Sequence, residues 1–313
     1  MADNLQRSDT ETNVIRDELI AGLTAPRATT SPKYLYDALG SKLFEAICEL
    51  PEYYPTRTEA AIFERHGAEI ASSVGAGATL IDLGAGNCAK AARLFPSLAP
   101  SQYVPIDISA DFLKAAVAQL ERQFPDIRML ALGMDFSSTL DLPPAVSDAR
   151  RLFFYPGSSI GNFHPDEALA FLRRLRQADG DLLIGVDLVK DRAVLDAAYD
   201  DALGVTASFN LNLLHHLNRL LGADFNLREW KHRGFFNPEL SRIEMHLEAR
   251  RDLTVRWNGG VRRFGEGERI HTENSYKYTP DSFAGLLQEA GFHLAQRWTD
   301  ERGWFMVCHA RRG

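Results

Sequence analysis

The chain has 313 residues, 25% of them charged, and a formal net charge of −7 at pH 7. This acidic balance argues against a nucleic-acid backbone as the main partner, because neutralising phosphates requires a basic surface. A small-molecule partner is favoured instead. The length allows a full hydrophobic core and predicts two domains, or one domain with a large insertion.

Cysteine usage and hydropathy predict a cytoplasmic location. Cys48, Cys88 and Cys308 are odd in number, far apart and without metal-ligand spacing. They therefore favour a reducing compartment and predict neither a disulfide framework nor a metal site. Residues 1–30 lack an apolar core of signal-peptide length, and no later segment is apolar enough to span a membrane. We expect no membrane partner and a monomeric chain.

The first predicted strand, residues 78–83, runs into the glycine-rich sequence Gly84-Ala85-Gly86-Asn87. A glycine turn after a buried strand lets the backbone approach a ligand without interference from a Cβ atom. The second predicted strand, residues 103–108, carries Asp107 near its end. An acid in that place can accept hydrogen bonds from both ribose hydroxyls of a nucleoside. The pattern predicts a nucleoside site, and the alternative is an ordinary tight strand-to-helix turn.

The glycine spacing selects among nucleoside cofactors. Residues 84–89 lack the third glycine of the dinucleotide-binding motif, and no Walker lysine–serine pair follows them. The third glycine would be expected in a site for a dinucleotide pyrophosphate, and the lysine–serine pair in a site for a nucleoside triphosphate. S-adenosylmethionine, a nucleoside without phosphates, is therefore the favoured cofactor.

Alternating strands and helices continue to about residue 190, the pattern of a parallel sheet with crossover helices. Ser109 is placed to cap the helix that follows the second strand. Further strands are predicted at residues 127–134, 151–155 and 181–188. Near the end of the chain, the sequence predicts a helix at 280–290 and a hairpin formed by 294–299 and 304–309. These elements complete the sheet of a class I methyltransferase.

Residues 192–277 have a different pattern. Two helical stretches at 192–222 are broken near Gly204, and apolar residues at 243–249 alternate with polar ones, as in a half-buried antiparallel strand. We therefore expect an α/β fold: a class I methyltransferase Rossmann-like sheet with a second, inserted α+β domain. The first domain would comprise residues 60–191 plus 278–313, and the second residues 1–59 plus 192–277.

Several sequence blocks carry a resemblance to a known family. The most specific are Pro51-Glu52-Tyr53-Tyr54-Pro55 and Gly157-Ser158-Ser159-Ile160-Gly161-Asn162. Others lie at residues 34–37, 187–191, 198–201 and 272–277. Together, in this order, they resemble the histidine-specific N-alpha-methyltransferases of ergothioneine biosynthesis over nearly the whole chain.

The resemblance implies an enzyme that places three methyl groups from S-adenosylmethionine on the α-amine of L-histidine, giving hercynine. The inserted domain would bind the substrate. Carried over by position, the family's cofactor residues correspond to Gly84, Lys90, Asp107, Asp135 and Phe136. Its substrate residues correspond to Tyr53, Asn162, Tyr199, Glu273 and Ser275, with Tyr36 as the catalytic residue near the amine.

Each block also has an ordinary structural interpretation when taken alone. Tyr199 reads as a core tyrosine, residues 157–162 as a tight strand exit, and Glu273 with Ser275 as a solvated strand face. Their joint occurrence favours the catalytic interpretation. Three alternatives stay open: a methyltransferase for another aromatic amino acid or small amine, a non-catalytic S-adenosylmethionine-binding module, and an RNA or protein methyltransferase, which the acidity disfavours.

Overall fold

The computed structural model describes residues 9–313 apart from Ser109 and Ser138, so the predicted cap at Ser109 lies outside the described residues. The α-helices, α1 to α10, are Asp9–Thr24, Ala38–Cys48, Tyr54–Val74, Ala89–Ala92, Phe95–Leu98, Ala110–Gln123, Pro165–Gln177, Arg192–Tyr199, Val205–Leu221 and Pro280–Glu289. The strands, β1 to β14, are Ala28–Thr29, Thr79–Leu83, Gln102–Asp107, Arg128–Met129, Leu132–Gly133, Arg151–Tyr155, Gly180–Asp187, Trp230–Asn237, Arg242–Ala249, Leu253–Trp257, Gly260–Phe264, Arg269–Tyr276, Phe292–Thr299 and Phe305–Arg312.

The chain divides into two compact units. The first comprises Met1–Tyr54 with Asp191–Ser275, and the second comprises Pro55–Lys190 with Tyr276–Gly313. Within the described part of the chain, no helix is long and apolar enough to cross a membrane.

The second unit is built on one sheet with the strand order β13-β14-β7-β6-β2-β3-β4, and β5 also pairs with β3. The pairs from β7 to β4 are parallel, whereas β14 runs antiparallel to both β7 and β13. The predicted class I methyltransferase sheet is therefore confirmed. One strand differs: the stretch predicted at 127–134 forms the two short strands β4 and β5.

Both faces of this sheet are covered, which explains why its strands are continuously apolar. Ile81 and Phe153 pack into the core on one face, with residues of α7 and α10. Leu80 and Phe154 pack into the core on the other face, with residues of α3 and α6. The carboxyl ends of β2, β3 and β6 therefore meet at one edge, where open α/β folds bind ligands.

The first unit contains a four-stranded sheet with the order β1-β12-β9-β8 and a separate hairpin of β10 and β11. Helices α8 and α9 pack against β8 and β9, and α9 also packs against α2. Gly204, with a φ angle of +76°, separates the two helices. The break predicted there is confirmed.

The alternating pattern of β9 predicted a solvated polar face, and this prediction is wrong. Its polar residues Glu244, His246 and Glu248 are all buried. They are buried because they have charged partners: Arg242 pairs with Glu244, and Arg269 with Glu248. On β12, Glu273 and Ser275 are also buried, which excludes their alternative interpretation as a solvated strand face.

Candidate active site

The glycine loop after β2 closes onto the end of β3. Gly84 and Gly86 have φ angles of +73° and +52°, in the left-handed region that favours glycine. The Gly84 N–H donates to the Ile106 carbonyl oxygen at 2.9 Å. The Gly86 N–H donates to Asp107 Oδ2 at 3.0 Å. The structure thus brings the loop and the acid into direct contact.

Asp135 and Phe136 lie at the same edge of the sheet. The Met134 N–H donates to the Asp107 carbonyl oxygen at 3.1 Å, which places the following two residues beside the end of β3. A Cβ atom on Gly84 would stand 3.7 Å from the Phe136 ring. The Asp135 carboxylate accepts the Ser137 N–H at 3.0 Å. Gly84, Asp107, Asp135 and Phe136 therefore form one group.

Asp82 is a residue of this edge that the sequence analysis did not single out. It lies in β2, two residues before Gly84, and is almost fully buried. Burial, with a smaller contribution from the carboxylates of Asp107 and Glu59, raises its pKa to about 7, although the Tyr103 hydroxyl donates to it at 2.8 Å. An acidic residue inside an apolar strand was the available signal, because such a group is costly unless it has a special environment.

Lys90, also expected in the cofactor site, forms an ion pair with Glu59. Its Nζ lies 2.8 Å from Glu59 Oε2, and the other Glu59 oxygen accepts the Gly157 N–H at 2.7 Å. Glu59 is 1% exposed, whereas the Lys90 side chain is 40% exposed. Lys90 is thus one half of an ion pair whose carboxylate is buried.

Asn162 ends a short 3-10 turn, Ser159–Asn162, that follows β6. The segment starts with Gly157 and Ser158, both at positive φ. The Ser158 hydroxyl oxygen accepts the Asp187 N–H at 2.9 Å, which fixes the turn against the end of β7. Asn162 itself is half-buried. The structure places it at the carboxyl edge of the sheet, which the Gly84 loop also occupies.

The remaining expected residues cluster in the first unit. The Tyr199 hydroxyl and Ser275 Oγ are 3.0 Å apart, and the Tyr53 and Tyr199 rings pack edge to face with centroids 5.9 Å apart. Burial and, after it, the nearby Tyr199 raise the pKa of Tyr53 well above its usual value. Glu273 also contributes to that shift. Tyr53, Tyr199, Glu273 and Ser275 are thus neighbours, although they are far apart in sequence.

Tyr36 joins this cluster through two phenylalanines that the sequence motifs did not identify. Its ring packs edge to face on Phe44 and Phe209, with centroids 5.5 and 5.4 Å away. Phe44 also packs on Tyr53 at 6.1 Å. The helical spacing of apolar residues predicts that Phe209 is buried. The contact of its ring with Tyr36, however, joins segments far apart in the chain and has no local sequence signal.

One further group of side chains has the composition of a metal site. Ligand atoms of Glu244, His246 and His271 lie within 4.8 Å of one another. However, the His246 and His271 rings are stacked with centroids 4.6 Å apart, and Arg242 donates to the Glu244 carboxylate at 2.7 Å. The Arg242 guanidinium would repel a cation at Glu244, and His246 Nε2 is already within hydrogen-bond distance of Glu244 Oε2, at 2.9 Å. The arrangement is better described as a buried hydrogen-bonded network.

The edge of the second unit's sheet suits S-adenosylmethionine. Among the described residues, no other atom lies within 4 Å of the place where a Cβ of Gly86 would stand. The loop therefore leaves space next to the Asp107 carboxylate, a suitable acceptor for ribose hydroxyls. The aromatic ring of Phe136, which follows β5, lies close to Gly84 of this loop.

Comparisons with known proteins identify the family of this chain. The family described as histidine-specific methyltransferase, SAM-dependent, matches residues 15–312. The chain is 40% identical to the histidine N-alpha-methyltransferase of Mycolicibacterium smegmatis, over 99% of this chain and 98% of that protein. It is 40% identical to the enzyme of that name from Mycobacterium tuberculosis, over 95% of each. It is also 31% identical to N-methyltransferase imqF of Aspergillus flavus, over 91% of this chain and 82% of that protein. The chain therefore belongs to the S-adenosylmethionine-dependent, histidine-specific methyltransferases.

Proposed function

We propose that this protein transfers three methyl groups to the α-amine of L-histidine, giving hercynine for ergothioneine biosynthesis. The observation that carries the proposal is the Tyr199–Ser275 hydrogen bond beside the Tyr53 ring. It assembles polar and aromatic groups suited to an amino acid. The identity of 40% to two histidine N-alpha-methyltransferases over nearly their whole length supports the same substrate.

On the cofactor side, Gly84, Asp107, Asp135 and Phe136 would hold S-adenosylmethionine. The cofactor supplies an electrophilic methyl group on a sulfonium centre. Asp107 would accept the ribose hydroxyls while its second role, accepting the Gly86 N–H, keeps the loop in place. Lys90 is expected in the same set, and in this structure its ammonium group pairs with Glu59.

On the substrate side, the side chains have complementary hydrogen-bonding groups. The amide of Asn162 in the second unit and the hydroxyl of Tyr199 in the first unit are each donors suited to a carboxylate such as that of histidine. Glu273 and Ser275, two residues apart on β12, project to the same side of the strand. A carboxylate and a hydroxyl suit an imidazole ring, which has one donating and one accepting nitrogen when neutral.

The α-amine must be neutral when it reacts, because only its lone pair can form the bond to the methyl carbon as the neutral thioether leaves. Tyr36 would hold the amine, and its ring is fixed for that task by Phe44 and Phe209. Orientation of the lone pair along the line of displacement then accounts for most of the acceleration. No covalent protein nucleophile is required.

The decisive experiment is incubation of the purified protein with labelled S-adenosylmethionine and each amino acid separately. Label should enter histidine, and the product should show no free α-amine. Absence of label in histidine together with efficient labelling of another amine would refute the proposal. The relative imqF, named only as an N-methyltransferase, makes another amine the second candidate. Light scattering would test the further proposal that the chain is monomeric.

A further inference from the structure

The Glu59 carboxylate is a deeply buried charge that the proposed chemistry does not use. Glu59 lies on α3 and is 1% exposed. Oε1 accepts the Gly157 N–H at 2.7 Å, and Oε2 lies 2.8 Å from Lys90 Nζ. A carboxylate is costly to bury unless it is paired and hydrogen-bonded. Its two oxygens are therefore committed to two particular segments.

Those two segments lead to the two ligand-binding loops of the second unit. Lys90 lies in α4, directly after the glycine loop that begins at Gly84. Gly157 opens the turn that ends at Asn162. One carboxylate thus links the cofactor loop to the segment that carries a proposed substrate residue.

Two glycines make room for this ion pair. A Cβ atom on Gly185 in β7 would stand 2.0 Å from Glu59 Oε1. A Cβ atom on Gly157 would stand 3.0 Å from Lys90 Nζ, and the φ angle of Gly157 is +76°. The carboxylate therefore lies directly against the backbone of the sheet. A single methyl group at Gly185 would displace it without changing any charge.

We propose that Glu59 is a positioning residue that fixes residues 157–162 for substrate binding, with Lys90 as its counter-ion. The proposal rests on the function proposed above, through Asn162. Lys90 neutralises Glu59, so this buried carboxylate is not left without a counter-charge. Glu59 in turn orients the first N–H of the segment.

The test uses the full chain with the variants Lys90→Met, Gly185→Ala and Glu59→Gln. Arg65→Ala is the matched control, because Arg65 lies on the same helix and its ion pair with Glu301 is exposed. The measurements are kcat and KM for histidine, calorimetric affinity for S-adenosylhomocysteine, and amide hydrogen exchange of residues 157–162 without substrate.

Lys90→Met and Gly185→Ala should each raise the KM for histidine by about tenfold or more, as expected for weakening a hydrogen bond to a charged group. Exchange at residues 157–162 should accelerate in both variants, while the affinity of Gly185→Ala for S-adenosylhomocysteine stays within about threefold of the parent's. Glu59→Gln should show a smaller increase, because its amide oxygen can still accept the Gly157 N–H. Arg65→Ala should match the parent.

An unchanged KM for histidine in both Gly185→Ala and Lys90→Met would overturn the proposal. Unchanged exchange in the variants would overturn it too. If Gly185→Ala does not fold, the exchange measurement on Lys90→Met tests the proposal instead. This variant should fold, because the Lys90 side chain is 40% exposed. If the parent protein does not methylate histidine, the proposed function fails, but the exchange measurement still tests the role of Glu59.

Discussion

Replacement of Asp107 by alanine tests the cofactor site most directly. The Asp107 carboxylate is half-buried at the end of β3 and accepts the Gly86 N–H at 3.0 Å. The variant would remove this contact and the proposed hydrogen bonds to the ribose together. Asp107→Asn would keep an acceptor for the Gly86 N–H but lose the negative charge.

The expected magnitude follows from the number of charged hydrogen bonds lost. A hydrogen bond to a charged group contributes about 1.5–3 kcal/mol, and about 1.4 kcal/mol corresponds to a tenfold change in affinity. Loss of even one such bond should therefore weaken S-adenosylmethionine binding by roughly ten- to hundredfold. Asp107→Asn should lose less, because the loop contact persists.

Isothermal titration calorimetry with S-adenosylmethionine measures this loss. Asp126→Ala is a suitable control, since Asp126 is an exposed aspartate of the same unit, in the turn after α6. Unchanged affinity in Asp107→Ala would remove Asp107 from the site. A loss of similar size in Asp126→Ala would show that overall charge, rather than a direct contact, is responsible.

Three further outcomes are expected. Glu273→Ala should strongly lower kcat/KM for histidine and reduce the ratio of kcat/KM for histidine to that for phenylalanine, with unchanged cofactor affinity. The reason is that a phenyl ring gives a buried carboxylate no hydrogen-bond partner. Kinetics equal to those of the parent would make Glu273 a structural residue. With excess cofactor, mass spectrometry should show a final gain of three methyl groups, and an accumulating monomethyl product would contradict this. Burial alone would raise the pKa of Glu244, but hydrogen bonds from Arg242, His246 and Asn237 lower it from 4.5 to about 2. The free energy of unfolding should therefore decrease as the pH falls from about 4.5 towards 2, and a Glu244→Gln variant that loses stability equally over this range would refute the assignment.

The sheet of the second unit was predictable because its signals are local. Apolar runs, glycine turns and helical spacing each act over a few residues, and they located β2, β3, β6, β7 and the terminal hairpin. The stretch at 127–134 was harder, because only residues 128–129 and 132–133 pair with β3. Backbone pairing with a neighbour, rather than hydropathy, decides where such a strand is interrupted.

Burial of polar residues was not predictable in the same way. Glu248 is buried because Lys231 and Arg269, on two other strands, reach its carboxylate. The alternation within β9 carries no information about those partners. Likewise, Phe44 and the Glu59–Lys90 pair depend on contacts between segments far apart in the chain. The proposed site residues were predicted from sequence blocks, but their contacts required the structure.

The first unit is built from two separate stretches of the chain, and this has a consequence for how the protein folds during synthesis. Thr29 in β1 donates to the carbonyl oxygen of His271 in β12, 242 residues later in the chain. Likewise, Asn212 in α9 donates to Asp37, 175 residues away, just before α2. At a ribosomal rate of about 5–20 residues per second, β1 emerges roughly 12 to 50 seconds before its partner strand exists. The N-terminal segments therefore cannot complete their sheet during most of synthesis. Such non-local pairing also slows folding after release, so nascent chains of this protein should depend on chaperones more than the size of either unit suggests.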